Sequence, residues 1–412
     1  MANQIAKTTG FVVKETAKGY YNSRLFSGII AKKYTEEFAD EGNSKGDTIY
    51  IRKPAKFRLR SGANQEIQDI KETKIAVTLP AQVGVDYSFS SRELTIDIDA
   101  GRSNQLQNAG SAIASYKDAE GLQLSAISAG FTVITPATPT LADFTKAKAF
   151  LNKQLAPKGS ADRYAFVGSD VESAIANEVK VLYNSSAEIT KAIKENELSS
   201  MGGLTFASTD LTFVRTNGAG GQVVTLGAVI TPDYVNETQT LTIAGAGAAN
   251  VAVGDTMEFA ASYFINAETK QVYVNALQRK VLSKPDATHV VVYSIRPIIA
   301  APSTAEQRGN AAMANCDALP ANGSTITILG TAGKKYLCSP VMHKDAVVLT
   351  SVPMIKPTKV EMVDSVTVDG MNIRFIKNYS IDGDTMPSRL DTLSVYTVIY
   401  PEWIVSCETP LN

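Results

Sequence analysis

The spacing of apolar positions changes several times along the chain. Residues 1 to about 38 place Tyr20, Leu25, Ile29 and Phe38 among Lys7, Lys14, Lys18, Arg24, Lys32 and Lys33. That pattern predicts a solvated amphipathic helix with few large apolar residues to anchor it in a core, or alternatively an arm that docks on a neighbour or a partner protein. Residues 47–52, Asp-Thr-Ile-Tyr-Ile-Arg, alternate with a period of two and predict a strand; Lys74–Leu79 predicts its return. The two limbs make a long hairpin whose outer half projects from the body. On the outgoing limb Lys56, Arg58 and Arg60 share one face, and Phe57 and Leu59 the other. The returning limb carries Glu66, Asp69 and Glu72. With Lys53 these charges form the candidate contact set: Lys53, Lys56, Arg58, Arg60, Glu66, Asp69 and Glu72. The bland alternative is an exposed hairpin with its own cross-strand ion pairs, which contribute little.

Between about Ser103 and Ser128 the period becomes helical, with Leu106, Ala109, Ile113, Tyr116, Ala119 and Leu122 recurring every three or four residues. A helix of that length spans roughly 39 Å, long enough for other elements to pack along it. Thr140 and Asp143 form a capping box that opens a helix running to about Leu155. Asp170–Val181 and Ala187–Glu195 predict further short helices. From Asn217 to about Thr331 charges thin out, and the predicted strands are Val223–Leu226, Thr240–Ile243, Thr256–Phe264, Gln271–Leu282, His289–Ile295 and Thr325–Leu329. Such short strands with Gly and Pro between them predict a small closed barrel or sandwich, with no helix inside it. It reads as a domain inserted into a loop of a larger one, able to fold alone. Asp369-Gly370 between Val360–Val368 and Met371–Lys377 is a strong two-residue hairpin signal. A last strand, Leu393–Tyr400, stops at Pro401.

Composition narrows the function classes. The 412 residues carry 40 basic and 41 acidic side chains, a net charge of −1. A protein whose main task is to grip DNA needs a basic excess, so that class is disfavoured, although a surface that merely faces DNA is not. The three cysteines, Cys316, Cys338 and Cys407, share no C-x-x-C spacing and predict reduced thiols without a disulfide framework. No basic start followed by an apolar core marks a signal peptide, and no window approaches about 18 consecutive apolar residues, so no membrane helix is expected.

Catalytic chemistry is sparse. His289 and His343 are the only histidines and have no metal-ligand spacing to Cys or carboxylate. Gly330-Thr-Ala-Gly333-Lys334-Lys335 departs from a phosphate-binding loop at Ile328 and at Lys335, where Gly and Ser/Thr are required. The carboxylate pairs Asp97/Asp99 and Asp382/Asp384 lack the rest of a calcium loop. The expectation is a structural protein, with no enzyme activity, cofactor or metal.

Five segments, in order, resemble the P-twenty-two-type coat proteins of short-tailed Salmonella phages. They are Gln82-Val-Gly-Val-Asp-Tyr-Ser-Phe-Ser-Ser-Arg-Glu-Leu-Thr-Ile96; Val253-Gly-Asp-Thr-Met-Glu-Phe259, continuing to Phe264-Ile-Asn-Ala-Glu-Thr-Lys-Gln271; Leu277-Gln-Arg-Lys-Val281; His343-Lys-Asp-Ala-Val-Val-Leu349; and Ser388-Arg-Leu-Asp-Thr-Leu393, running to Tyr400-Pro-Glu-Trp403. The resemblance implies an α+β Hong Kong 97-type capsid fold with an inserted six-stranded β-barrel. It implies an N-terminal arm at 1–38, an extended loop at 39–98, a spine helix of a peripheral domain at 99–135, axial and peripheral parts at 136–216 and 341–412, and the barrel at 217–340. The segment Val223–Ala252 departs from the family's barrel loop. The implied function is a major capsid protein whose copies form hexamers and pentamers of an icosahedral shell around double-stranded DNA. Implied partners are a scaffolding protein and a portal protein, with assembly in the host bacterial cytoplasm and no membrane involved. The candidate contact set then becomes a subunit-interface set. The alternatives are a protein-loading nanocompartment shell and a carbohydrate-binding virion surface protein; an exposed cluster of Tyr263, Phe264 and Tyr273 would favour the latter.

Overall fold

The computed structural model describes residues 9–33, 48–60, 62–90, 99–159, 162–181, 200–218, 223–245 and 247–411. The chain divides into two units. The first comprises Met1–Ile49, Ala76–Gly121 and Val347–Thr397, and the second Tyr50–Ile75, Leu122–Ala346 and Val398–Asn412. Helices and sheets mix in both, as the α+β class requires. The predicted helix at 187–195, Phe38, Lys7 and Asp97 lie outside the described residues.

The first unit is built on an antiparallel sheet in the order Met362–Val368, Met371–Lys377, Thr385–Thr392, Val83–Ser90. Its first hairpin turns at Asp369 (φ 48°) and Gly370 (φ 77°), with Val368 opposite Met371. Both turn residues need a left-handed backbone, which Gly adopts freely and Asp tolerates, so the dipeptide fixes the register. Met371, Ile373 and Phe375 alternate inward and are buried with Leu390.

Helix Thr9–Ser23 packs on the Met362–Val368 and Met371–Lys377 strands. The arm is better anchored than its sequence promised. Val13, Ala17 and Tyr20, at helical spacing, are buried, as are Phe26 and Ile30, while Lys14 and Lys18 face outward. Val13, Ala17 and Tyr20 make one stripe, although Tyr21 beside them is exposed, and glycines let the helix approach closely. A Cβ on Gly19 would collide with the backbone of Gln107, and one on Gly110 would collide with the Thr16 carbonyl and lie 2.8 Å from the Tyr20 nitrogen. Gln107 and Gly110 belong to the long helix Asp99–Ile127, the element the spacing from Ser103 to Ser128 predicts. From the same helix, the buried Asp118 carboxylate accepts from the amides of Leu25 (2.5 Å), Phe26 (3.0 Å) and Ser27 (2.9 Å). It thereby satisfies the free donors at the start of the Phe26–Ile29 turn.

The second unit is organised by a seven-stranded mixed sheet. Its order is Phe131–Ile134, Ile404–Pro410, Lys335–His343, Arg163–Val167, Leu204–Ser208, Ser200–Met201, and Val214–Thr216 also pairs with Lys335–His343. Helices Leu141–Lys153 and Ser169–Val181 supply Phe144, Phe150, Leu151, Val171 and Ile175 to its core. Asp143 accepts from the Thr140 amide at 3.2 Å, the expected box. The chain does not end its sheet structure at Pro401. Ile404–Pro410 is a strand with neighbours on both sides, buried almost throughout, and its Ser406, Glu408 and Thr409 break any apolar run that could have announced it.

Between Asn217 and Lys334 lie Val223–Thr225, Thr238–Thr242, Thr256–Ile265, Val272–Lys280, His289–Tyr293 and Thr325–Ile328, the six predicted strands within a residue or two. They form a four-stranded and a two-stranded sheet, linked by isolated bridges such as Leu226 to Ile243. A helix also occurs here, contrary to expectation. Ala305–Ala312 is capped by Thr304, whose hydroxyl accepts from the Gln307 amide at 3.1 Å. The segment enters and leaves side by side: Thr216 pairs with Lys335, and the Asn217 amide donates to the Lys334 carbonyl at 2.9 Å. Its core is continuous with the rest of the unit. Phe150 stacks on Phe131 at 4.1 Å and meets Phe264 edge-on at 5.0 Å.

Candidate functional site

Thr48–Lys53 and Thr73–Thr78 pair as a two-stranded sheet, and the residues between them leave the ladder. Pro54 has no amide to donate, which ends the first strand at Lys53. The segment 54–60 is therefore not a strand, and its cations do not form one shared edge as the alternation predicted. Lys53 is buried, reaching Glu402 at 3.2 Å and Glu237 at 3.9 Å. Lys56 approaches Glu402 at 3.8 Å, and Arg58 meets Glu66 at 3.3 Å. Arg60 donates to the carbonyls of Gly62 (2.6 Å) and Asn64 (2.9 Å). Glu72 lies 3.9 Å from Arg52, and the Asp69 amide donates to the Ala305 carbonyl at 3.0 Å.

What the loop leaves open is apolar as well as charged. Phe57, Leu59, Ile67 and Ile70 are all more than half exposed, Leu59 at 87%. Charge alternation in the sequence points to the cations alone. The neighbouring exposed apolar side chains were equally visible in the sequence, but their exposure was not.

A second constellation was missed altogether. Where the inserted segment joins the seven-stranded sheet, Arg215, Asp255, Lys280 and Glu408 meet, each almost wholly buried. The Arg215 guanidinium donates to Asp255 at 2.7 Å through Nη1 and to Glu408 at 2.9 and 2.5 Å through Nε and Nη2. Lys280 reaches the other Glu408 oxygen at 2.5 Å. Ser406 donates to Glu408 at 3.2 Å, and the amides of Ala252 (2.9 Å) and Gly218 (3.1 Å) donate to Asp255. Two cations therefore face two carboxylates, with the remaining lone pairs satisfied, the condition under which buried charge is tolerable. Burial pushes the Glu408 carboxyl up, but Lys280 and Arg215 outweigh it and hold it below the usual range. Asp255 is raised instead, since burial outweighs its amide donors and Arg215. Beside them the Cys338 thiol is pushed up to about 12 by burial and by Glu408. Cys316, Cys338 and Cys407 are all free and buried. No spacing rule joins residues up to 193 positions apart, so the cluster could not be read from the chain.

Among the described residues no group of three or more His, Cys, Asp or Glu could hold a metal, and no helix is long and apolar enough to cross a membrane. His343 is buried and its pKa is lowered by burial, while His289 sits 2.8 Å from Asp286. Phe264 is buried, and the Tyr273 hydroxyl donates to the Lys153 carbonyl at 3.1 Å, so these do not make an exposed aromatic cluster with Tyr263.

A family model described as "P22 coat protein - gene protein 5" matches residues 1–406. No curated protein sequence matches the chain. Similar solved structures include one of Mycobacterium phage Che8 (8% identity, 93% of this chain and 90% of that chain, TM-score 0.44). The capsid of cyanophage P-SCSP1u has 10% identity over 93% of this chain and 87% of that one, TM-score 0.47. The CUS-3 coat protein I-domain has 23% identity over 28% of this chain and 100% of that one, TM-score 0.22.

Proposed function

The chain belongs to the P22 coat protein family and is a capsid protein that forms the shell of a tailed-phage virion, and from that premise we propose how it assembles. Its copies tile an icosahedral shell of Hong Kong 97-type subunits in hexamers and pentamers, formed in the host cytoplasm around a scaffolding protein, with a portal protein at one vertex. The shell encloses double-stranded DNA without gripping it, consistent with the net charge of −1. The six strands after Asn217 are the inserted barrel; the bridges between its two sheets support closure.

One observation carries the assembly reading. The loop between Pro54 and Glu72 exposes Phe57, Leu59, Ile67 and Ile70 beside Arg58, Arg60, Glu66 and Asp69. A rim of charge around apolar side chains is the composition of an interface awaiting its partner, here an adjacent subunit. Lys53, already buried within its own chain, serves to hold the base of the loop, while Lys56, Arg58, Arg60, Glu66, Asp69 and Glu72 remain the interface set.

Two variants test it. Arg58→Glu with Arg60→Glu, and separately Phe57→Asp with Leu59→Asp, should change the subunit's own stability by no more than about 0.5 kcal/mol per site, as exposed substitutions do. Both should abolish closed shells, because like charges or desolvated carboxylates at an interface cost several kcal/mol at every boundary. Sedimentation and negative-stain imaging read the outcome. Normal shells from both variants would show that the loop is merely solvated.

A further inference from the structure

The second unit contains a cavity of about 80 Å³ lined in part by Lys53, Lys56, Arg279, Arg296, Glu237 and Glu402. Cations outnumber carboxylates there by four to two. Three of the cations have a carboxylate partner: Lys53 and Lys56 share Glu402 at 3.2 and 3.8 Å, and Arg296 reaches Glu237 at 3.8 Å. Arg279 does not: it is 6% exposed and has no carboxylate partner among the described residues. Its Nε donates to the Tyr293 carbonyl at 3.2 Å and its Nη1 to the Gln278 carbonyl at 2.9 Å. Its Nη2 makes no hydrogen bond among the described residues. Lys56 stands behind Lys53 at Glu402, 3.8 Å away. Next to it Lys270 donates, among the described residues, only to the carbonyls of Ala267, Ala312 and Ala314. Burial and the repulsion of Lys56 bring the Lys270 pKa down to about 7.

An excess of positive charge in a largely enclosed cavity is costly unless something pairs with it; Arg279 is buried there, while Lys56 opens to solvent. The guanidinium fork suits two oxygens of one anion, and an ammonium suits a third. A water needs about 10–15 Å³ of such space, so the cavity has room for the few heavy atoms of a tetrahedral ion. Its exposed lining residues include Pro54 and Lys56, an entrance that fits a free ion better than a nucleic-acid backbone. We propose that this cavity binds a small oxyanion of the phosphate or sulfate class, held by Arg279 and Lys56.

The test is calorimetric titration of the purified full chain with sodium phosphate, with melting curves in phosphate and chloride at matched ionic strength and pH. A single-site isotherm and a saturable rise in melting temperature are expected; saturation separates binding from general salt exclusion. Lys56→Gln, at an exposed position, should weaken binding about tenfold or more, the worth of one charge-assisted hydrogen bond. Arg279→Gln should abolish it, and if that variant fails to fold, Lys56→Gln decides. Identical melting in the two salts, or unchanged affinity in Lys56→Gln, overturns the proposal. Displacement of phosphate by a short DNA duplex would overturn its assignment to a free ion.

Discussion

Glu408→Ala is expected to lower the unfolding free energy by about 3–5 kcal/mol, the cost of removing one partner from a buried ion pair. The loss is not the value of one contact. It arises because Arg215 and Lys280, both almost fully buried, would face Asp255 alone. The effect should spread beyond the strand. Arg215 and Glu408 sit on the seven-stranded sheet and Asp255 and Lys280 on the inserted strands or beside them, so the cluster joins the two within one unit. Urea unfolding followed by circular dichroism measures it. A change under about 1 kcal/mol would mean that water or a shifted lysine compensates. The pH dependence has a definite sign. Glu408 is held below the usual carboxylate range, and Glu402 at about 2, mainly by Lys53 and Lys56 against the opposing push of burial. Their stabilisation is complete above the unfolded carboxylate pKa and is lost as the pH falls through the folded values. The fall of stability in acid should therefore be shallower in Glu408→Gln than in the parent chain.

Gly110→Ala should destabilise the first unit by about 3 kcal/mol, and Gly19→Ala by a similar amount. At an open helix position the same change would stabilise by up to about 1 kcal/mol. The sign reverses because a Cβ at either position has nowhere to go. Each meets the backbone of the facing helix, Thr16 and Tyr20 in one case and Gln107 in the other. Backbone cannot turn aside as a side chain can, so the helices must part, and the burial of Val13, Ala17 and Tyr20 is lost with them. Limited proteolysis should then cleave within Thr9–Ser23 while the Met362–Val368 hairpin stays protected. An unchanged or raised melting temperature for Gly110→Ala would show that the crossing is looser than the geometry says. The same packing revises the expectation for the arm. Deleting residues 2–18 removes Val13 and Ala17 from a core, so it should impair the subunit's stability as well as assembly.

Local signals were the legible ones. Asp369-Gly370 demands a left-handed turn, Thr140 and Asp143 satisfy the amides of a helix start, and the inserted strands alternate between Gly and Pro breaks. Each is decided within a few residues. What could not be read depends on partners far away in sequence. Ile404–Pro410 is buried on both sides yet polar in composition, because Glu408 is neutralised by residues from Arg215 and Lys280. The arm's few apolar residues suffice because two glycines thin the crossing. The cations after Lys53 lost their shared face because Pro54 ended the strand that would have aligned them. The family resemblance, by contrast, rested on segments whose order survives along the chain, and the family match extends over residues 1–406.

Cryo-electron microscopy of particles from cells expressing this chain with the genes that neighbour it tests the central claim most directly. The expected result is closed icosahedral shells whose wall is this chain, with the segment from Pro54 to Glu72 lying over an adjacent subunit. A chain that stays monomeric under those conditions, or shells whose wall is another protein, would contradict it.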